Sequence, residues 1–136
     1  MSKEGRDKIQ LLVNRFGALQ LDYIDGRTWR VVHAMVYKSR THGFIWVARG
    51  FLTDFASIPR FFWRILPPTG QYGKAAVVHD WLYFTGAYPR NVCDHLFLEA
   101  MEDLDVGWFT RRAMYRAVRM FGGGAWNRQR GNTQDA

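Results

Sequence analysis

A chain of 136 residues with 48% hydrophobic and 16% aromatic content carries enough apolar surface for one core and too little length for two, which excludes a disordered polymer and a two-domain enzyme. Its formal charge of +7 directs it toward nucleic acid, an anionic membrane surface or an acidic protein, with a solvated helix face as the bland account of the same excess. The lone Cys93 excludes an intrachain disulfide and a four-thiolate metal site, no apolar run approaches the roughly 18 residues of a membrane span, and the charged stretch Met1 to Gln10 does not read as a secretory signal.

Taken in order, residues 1–10 read as a tail, 11–122 as a single globular domain, β-rich over 11–50 and helical over 51–122, and 123–136 as a flexible tail. Leu19, Leu21 and Tyr23 alternate with polar residues up to Asp25-Gly26, and Trp29 to Tyr37 follow, so an Asp-Gly hairpin is expected. Phe44 to Ala48 reads as a third strand, and Phe51 to Pro59 as a loop holding Asp54. A short apolar segment, Arg60 to Leu66, ends at Pro67-Pro68. Two helices are expected over Tyr72 to Phe84 and Arg90 to Leu104. A third follows, with Thr110 as its N-cap and Ala113, Met114, Ala117, Val118 and Phe121 as its apolar stripe, stopped by Gly122 to Gly124. The fold class is therefore α+β, a small N-terminal antiparallel sheet followed by a three-helix half.

The first two helices carry the chemistry. His79 sits among Ala75, Ala76, Leu82 and Tyr83 at helical spacing, and Asp94 heads the apolar stripe Phe97, Leu98, Met101, Leu104. A carboxylate there is expensive unless paired. Packing the helices antiparallel lets Asp94 accept a proton from one ring nitrogen of His79 and from the Tyr83 hydroxyl, which leaves the other ring nitrogen to act as a base. Each residue also has a plainer role: His79 as a core histidine satisfied by Asp94, Asp80 as a partner of Arg60 or Arg64, Asp54 as a helix cap, Tyr83 as packing, and Trp63, Trp81 and Trp108 as core. Trp108-Phe109 beside the arginines alternatively forms an interfacial patch. Arg111, Arg112, Arg116 and Arg119 are the residues expected to meet anionic lipid or nucleic acid.

The string His79-Asp80-Trp81-Leu82-Tyr83, HDxxY, occurs by chance about once in a hundred chains of this composition. With an aspartate opening the next helix, it resembles the phospholipase A-two superfamily. The resemblance covers about 25 residues, from Lys74 to Glu99, and implies His79 as the base that activates water, Asp80 as a calcium ligand, and Asp94 with Tyr83 as the groups orienting the histidine. Where that family has a glycine-rich calcium loop, this chain has Thr53-Asp54-Phe55-Ala56-Ser57-Ile58-Pro59, so Asp54 is the candidate second metal ligand.

A second resemblance is longer. TDFASIPR, the PP-x-G-x-Y-x-x-AAVVHDWLY run, the R-x-x-x-D-x-x-F-x-EAM helix and the R-x-x-MY-x-AVR-x-FG ending look like a family of small bacteriophage and prophage proteins of unassigned function. This implies synthesis in a host cytoplasm, then a virion, with other virion proteins as partners. Three functions follow: a calcium-dependent esterase of phospholipase type, with a cation between Asp80 and the Asp54 loop and an apolar groove to His79; a structural component of the tail or head-to-tail region, with a closed site; and an HD-type metal phosphohydrolase, which needs further ligands than His33 and His42 supply from strand or turn segments.

Overall fold

The structure, a computed structural model, describes residues 2–3, 16, 19–25, 28–55 and 72–134. Most of the N-terminal tail, the Gly26 half of the Asp-Gly turn and the Arg60 to Leu66 segment with its prolines lie outside the described residues.

The expected α+β order is present: strands β1 (Leu21–Asp25), β2 (Thr28–Val31), β3 (Met35–Ser39), β4 (Gly43–Val47) and β5 (Leu52–Thr53) precede helices α1 (Tyr72–Thr85), α2 (Arg90–Asp103), α3 (Trp108–Phe121) and α4 (Gly123–Gln134). They form an antiparallel sheet in the order β1-β2-β5 and a separate two-stranded ribbon, β3-β4. The expected single strand from Trp29 to Tyr37 is divided at residues 32–34, and its halves join different sheets.

In the ribbon, Met35 pairs with Val47, Tyr37 with Ile45 and Ser39 with Gly43. The side chains of Met35, Tyr37, Ser39, Ile45 and Val47 point inward, whereas Lys38, Phe44 and Trp46 point to solvent, the period-two alternation of a strand pair with one covered face. Gly43 takes a left-handed φ of 74° where the ribbon turns. Pairing of Trp29 with Thr53 holds β5 on β2, and so carries residues 53–55 toward α1.

The core joins ribbon and helices: Val31, Met35, Tyr37 and Val47 from the strands meet Ala75, Val78 and Leu82 of α1, Leu96, Phe97, Ala100 and Met101 of α2, and Met114 and Val118 of α3. Along α1 and α2, Tyr83 meets Asp94 near the connecting turn and His79 meets Phe97 farther from it, so the two helices run antiparallel as expected. Gly86, with φ 62°, follows α1 and receives its chain reversal, its N–H donating to the Leu82 carbonyl.

The C-terminal part departs from expectation in three ways. Helix α3 begins at Trp108 with Gly107 at the N-cap, one turn's start earlier than the Thr110 cap. The glycine cluster does not stop the helical run: Gly122 is itself right-handed helical, its N–H donates to the Val118 carbonyl, and its carbonyl accepts from the Trp126 N–H. Beyond it lies a fourth helix rather than a flexible tail over 123–136. That helix is docked, with Trp126 edge-on to Tyr83 at 5.3 Å and Arg130 stacked over Trp126 at 4.3 Å. Among the described residues no helix is long and apolar enough to cross a membrane.

Candidate functional site

His79 and Asp94 are brought together as their spacing predicts. Asp94 Oδ1 lies 2.7 Å from His79 Nε2 and accepts a 2.7 Å hydrogen bond from the Tyr83 hydroxyl. An ionised carboxylate only accepts, so the imidazole proton on this side belongs to Nε2. The ring of His79 is held between Tyr83, at 4.3 Å, and the stacked face of Phe97, at 4.7 Å. Both His79 and Asp94 are 0% exposed.

The second oxygen of Asp94 has a partner that the sequence reading assigned elsewhere. Arg119 of α3 donates from Nη1 to Asp94 Oδ2 at 2.6 Å, and Arg90 Nε stands 3.9 Å from the same oxygen. Arg90 also donates from Nε to the Tyr83 hydroxyl at 3.2 Å and from Nη2 to the Val118 and Arg119 carbonyls at 2.8 and 2.7 Å. One carboxylate thereby ties α1, α2 and α3, and one guanidinium caps the C-terminal carbonyls of α3. Gly122 fits this arrangement because a Cβ there would lie 2.8 Å from the Tyr83 hydroxyl.

Burial alone would raise the Asp94 carboxyl, but the hydrogen bonds from His79, Tyr83 and Arg119 outweigh it and hold the group below its ordinary range. Burial and the neighbouring carboxylate push the Tyr83 phenol up. Burial, reinforced by Asp94, pushes the Cys93 thiol up to about 12, so Cys93 is a protonated core residue.

Asp80 faces the other way from this cluster, toward β5. The Thr53 hydroxyl donates to Asp80 Oδ2, and the Phe55 N–H donates to Thr53 Oγ1 at 3.2 Å, with Phe55 in a left-handed conformation at φ 55°. The expected approach of the Asp54 loop to Asp80 therefore occurs through Thr53, while Asp54 itself is exposed. Asp80, Asp54 and Thr53 are hard oxygen donors of the class calcium takes. Among the described residues no three His, Cys, Asp or Glu side chains are grouped as a metal site needs.

The arginines expected to face a partner divide. Arg119 is committed to Asp94, and half-buried Arg111 donates to the Val106 carbonyl at 3.0 Å, which leaves Arg112 and Arg116 exposed. Trp108, expected in the core, is 54% exposed. A second buried carboxylate went unnoticed in the sequence. Glu99 accepts from Tyr37, Ser39, Thr41 and the Arg40 N–H, while Tyr37 also donates to Asp103 at 2.6 Å. Its signal was the same as that of Asp94: an acidic residue inside the stripe Leu96, Phe97, Ala100, Met101.

Residues 29–118, from the first residues of β2 into α3, match the family described as "Protein of unknown function (DUF1353)". The chain belongs to this family. The matched region holds His79, Asp80, Tyr83, Arg90, Asp94 and Glu99, and stops just short of Arg119. The DUF1353 chain is also similar to "Uncharacterized protein y4jT" of Sinorhizobium fredii (strain NBRC 101917 / NGR234), 36% identical over 84 residues that cover 60% of this chain and 25% of the relative. It thus spans about a quarter of that protein's length. No solved structure matches.

Proposed function

We propose that this chain is a non-catalytic assembly module, of the phage-particle kind that its Gly50 to Gly122 motifs resemble, and that HDxxY with Asp94 serves it as a buried clamp. The observation carrying this reading is the complete enclosure of His79 and Asp94. A general base must come within hydrogen-bond reach of the water it activates, and here the dyad is sealed by aromatic rings while both Asp94 oxygens are taken by His79, Tyr83 and Arg119. Such a cluster fixes the mutual register of three helices, which is what a subunit presenting a rigid surface requires.

A second reading, the lipid esterase using calcium, is favoured by one observation: the residue next to His79 is tied to the loop that bears Asp54. In that reading His79 would hold a proton taken from water, Asp94 would orient the ring, and Asp80 with Asp54 would hold the cation, whose chemistry is polarisation of an ester carbonyl.

The experiment is fatty-acid release from mixed phospholipid vesicles by purified protein, with and without calcium, beside His79→Gln. The module reading expects no release in any condition and a lowered melting temperature for His79→Gln. Calcium-dependent release that the substitution abolishes would overturn it in favour of the esterase.

A further inference from the structure

Outside the clamp, and among the described residues, the outer side of α3 is an exposed apolar and basic surface. At 3.6 residues per turn, Trp108, Arg112, Arg116, Phe109 and Met120 fall within an arc of roughly 120° and along roughly 18 Å of the helix. Trp108 is 54%, Phe109 82% and Met120 73% exposed, and Arg112 and Arg116 lie exposed between them. Large apolar side chains gathered on one exposed face mark an interaction surface, whereas single ones do not. The Arg112 guanidinium stands 5.9 Å from the Trp108 ring, a pairing in which the cation is kept beside the indole.

We propose that this face is a docking surface for an anionic lipid bilayer. The helix Trp108–Phe121 contains no aspartate or glutamate, and the chain's charge of +7 is complementary to a negative surface. Its layout matches a bilayer interface: Trp and Phe rings enter at headgroup depth, while arginines extend to the lipid phosphates with their stems on the apolar side. The other occupants fit less well. A second copy related by a twofold axis would set Arg112 and Arg116 against their own counterparts. Nucleic acid would find two exposed guanidiniums, too few phosphate contacts for useful affinity, and Met120 offers no ring for a base to stack upon.

This inference stands apart from the clamp reading. The test is co-sedimentation of the full chain with vesicles of phosphatidylglycerol mixed with phosphatidylcholine, against pure phosphatidylcholine vesicles and a DNA oligonucleotide. Binding to the anionic vesicles alone is expected. Arg112→Gln with Arg116→Gln should lower it by about 25-fold, about fivefold per arginine, and Phe109→Ser should weaken it further. All these side chains are exposed, so unchanged circular dichroism and melting temperature serve as the folding control. Absence of vesicle binding, or binding indifferent to the substitutions, overturns the proposal; DNA binding through the same arginines without vesicle binding reassigns the face to nucleic acid. Fatty-acid release on the same vesicles reads the other question: release would end the module reading and leave the docking face standing.

Discussion

Asp94 and Glu99 are buried carboxylates on one helix, α2, and they are satisfied by opposite means. Asp94 meets an imidazole, a phenol and the Arg119 cation, and joins helix to helix. Glu99 meets three hydroxyls and a backbone N–H, and joins the β3-β4 ribbon to the helix. Removing a charge-paired carboxylate strands a cation, whereas removing a hydroxyl-bound one strands only neutral donors. Of these two carboxylates, the one between the helices therefore depends on charge pairing, while Arg40 supplies the ribbon junction with its ion pairs separately, to Glu102 and Asp103.

The largest effect should come from Asp94→Ala. Loss of one partner from a buried pair costs about 3–5 kcal/mol, and Arg119, whose side chain is 36% exposed, can turn to water and keep the loss near the lower figure, about 3 kcal/mol. Urea denaturation measures this; a loss below that of Glu99→Ala would reverse the comparison.

Glu99→Ala comes next, at about 1–3 kcal/mol, since its stranded donors are partly reached by solvent. Its particular sign is loosened amide exchange at Ser39 to His42 with the α1–α2 amides still protected. Equal deprotection of both regions would show that the ribbon and the helices open as one unit.

Acid should sharpen the contrast further. Both carboxyls lie below their ordinary values: burial opposes ionisation, but it is outweighed by the bonds from His79, Tyr83 and Arg119 at Asp94 and from Thr41, Ser39 and Arg40 at Glu99. For a depressed group the unfolded chain binds protons more readily. The stabilisation is thus complete above the unfolded values of about 3.9 and 4.3 and disappears as pH falls through the lower folded ones. Denaturation midpoints should fall steeply below about pH 4, and Asp94→Ala and Glu99→Ala should each flatten the slope. An unaltered slope in either variant would remove that carboxyl from the account.

The smallest effect concerns Cys93. With its thiol buried and pushed up to about 12, labelling by a thiol reagent at mildly alkaline pH should proceed at the global unfolding rate and accelerate in Asp94→Ala. Rapid labelling of the native wild type would show that the α1–α2 contact opens locally.

What could be read in the sequence was whatever had a local rule behind it. A carboxylate at the head of an apolar stripe has to be paired, and the spacing of His79, Tyr83 and Asp94 pointed to the partners. Glu99 obeys the same rule, but no string like HDxxY stands beside it to name its partners, which come from the ribbon about 60 residues away. Arg119 was beyond such rules. Helical spacing puts it beside Trp108 on the wheel, and only the length of its side chain carries it to Asp94. The fourth helix was hidden by Gly122 to Gly124. A glycine costs about 1 kcal/mol in a helix, and here packing of Trp126 and Arg130 against the end of α1 offsets it. The break at residues 32–34 was invisible because Trp29 to Tyr37 is uniformly strand-like.

The 25 residues separating Asp94 from Arg119 also set an order of events on the ribosome. At about 5–20 residues per second, the carboxylate is translated about 1 to 5 seconds before its cation. For that interval Asp94 has only His79, Tyr83 and Arg90 of α1 and α2 to draw on, and no guanidinium from α3. The contact that ties α3 to the α1–α2 pair is thus complete only once α3 has been made.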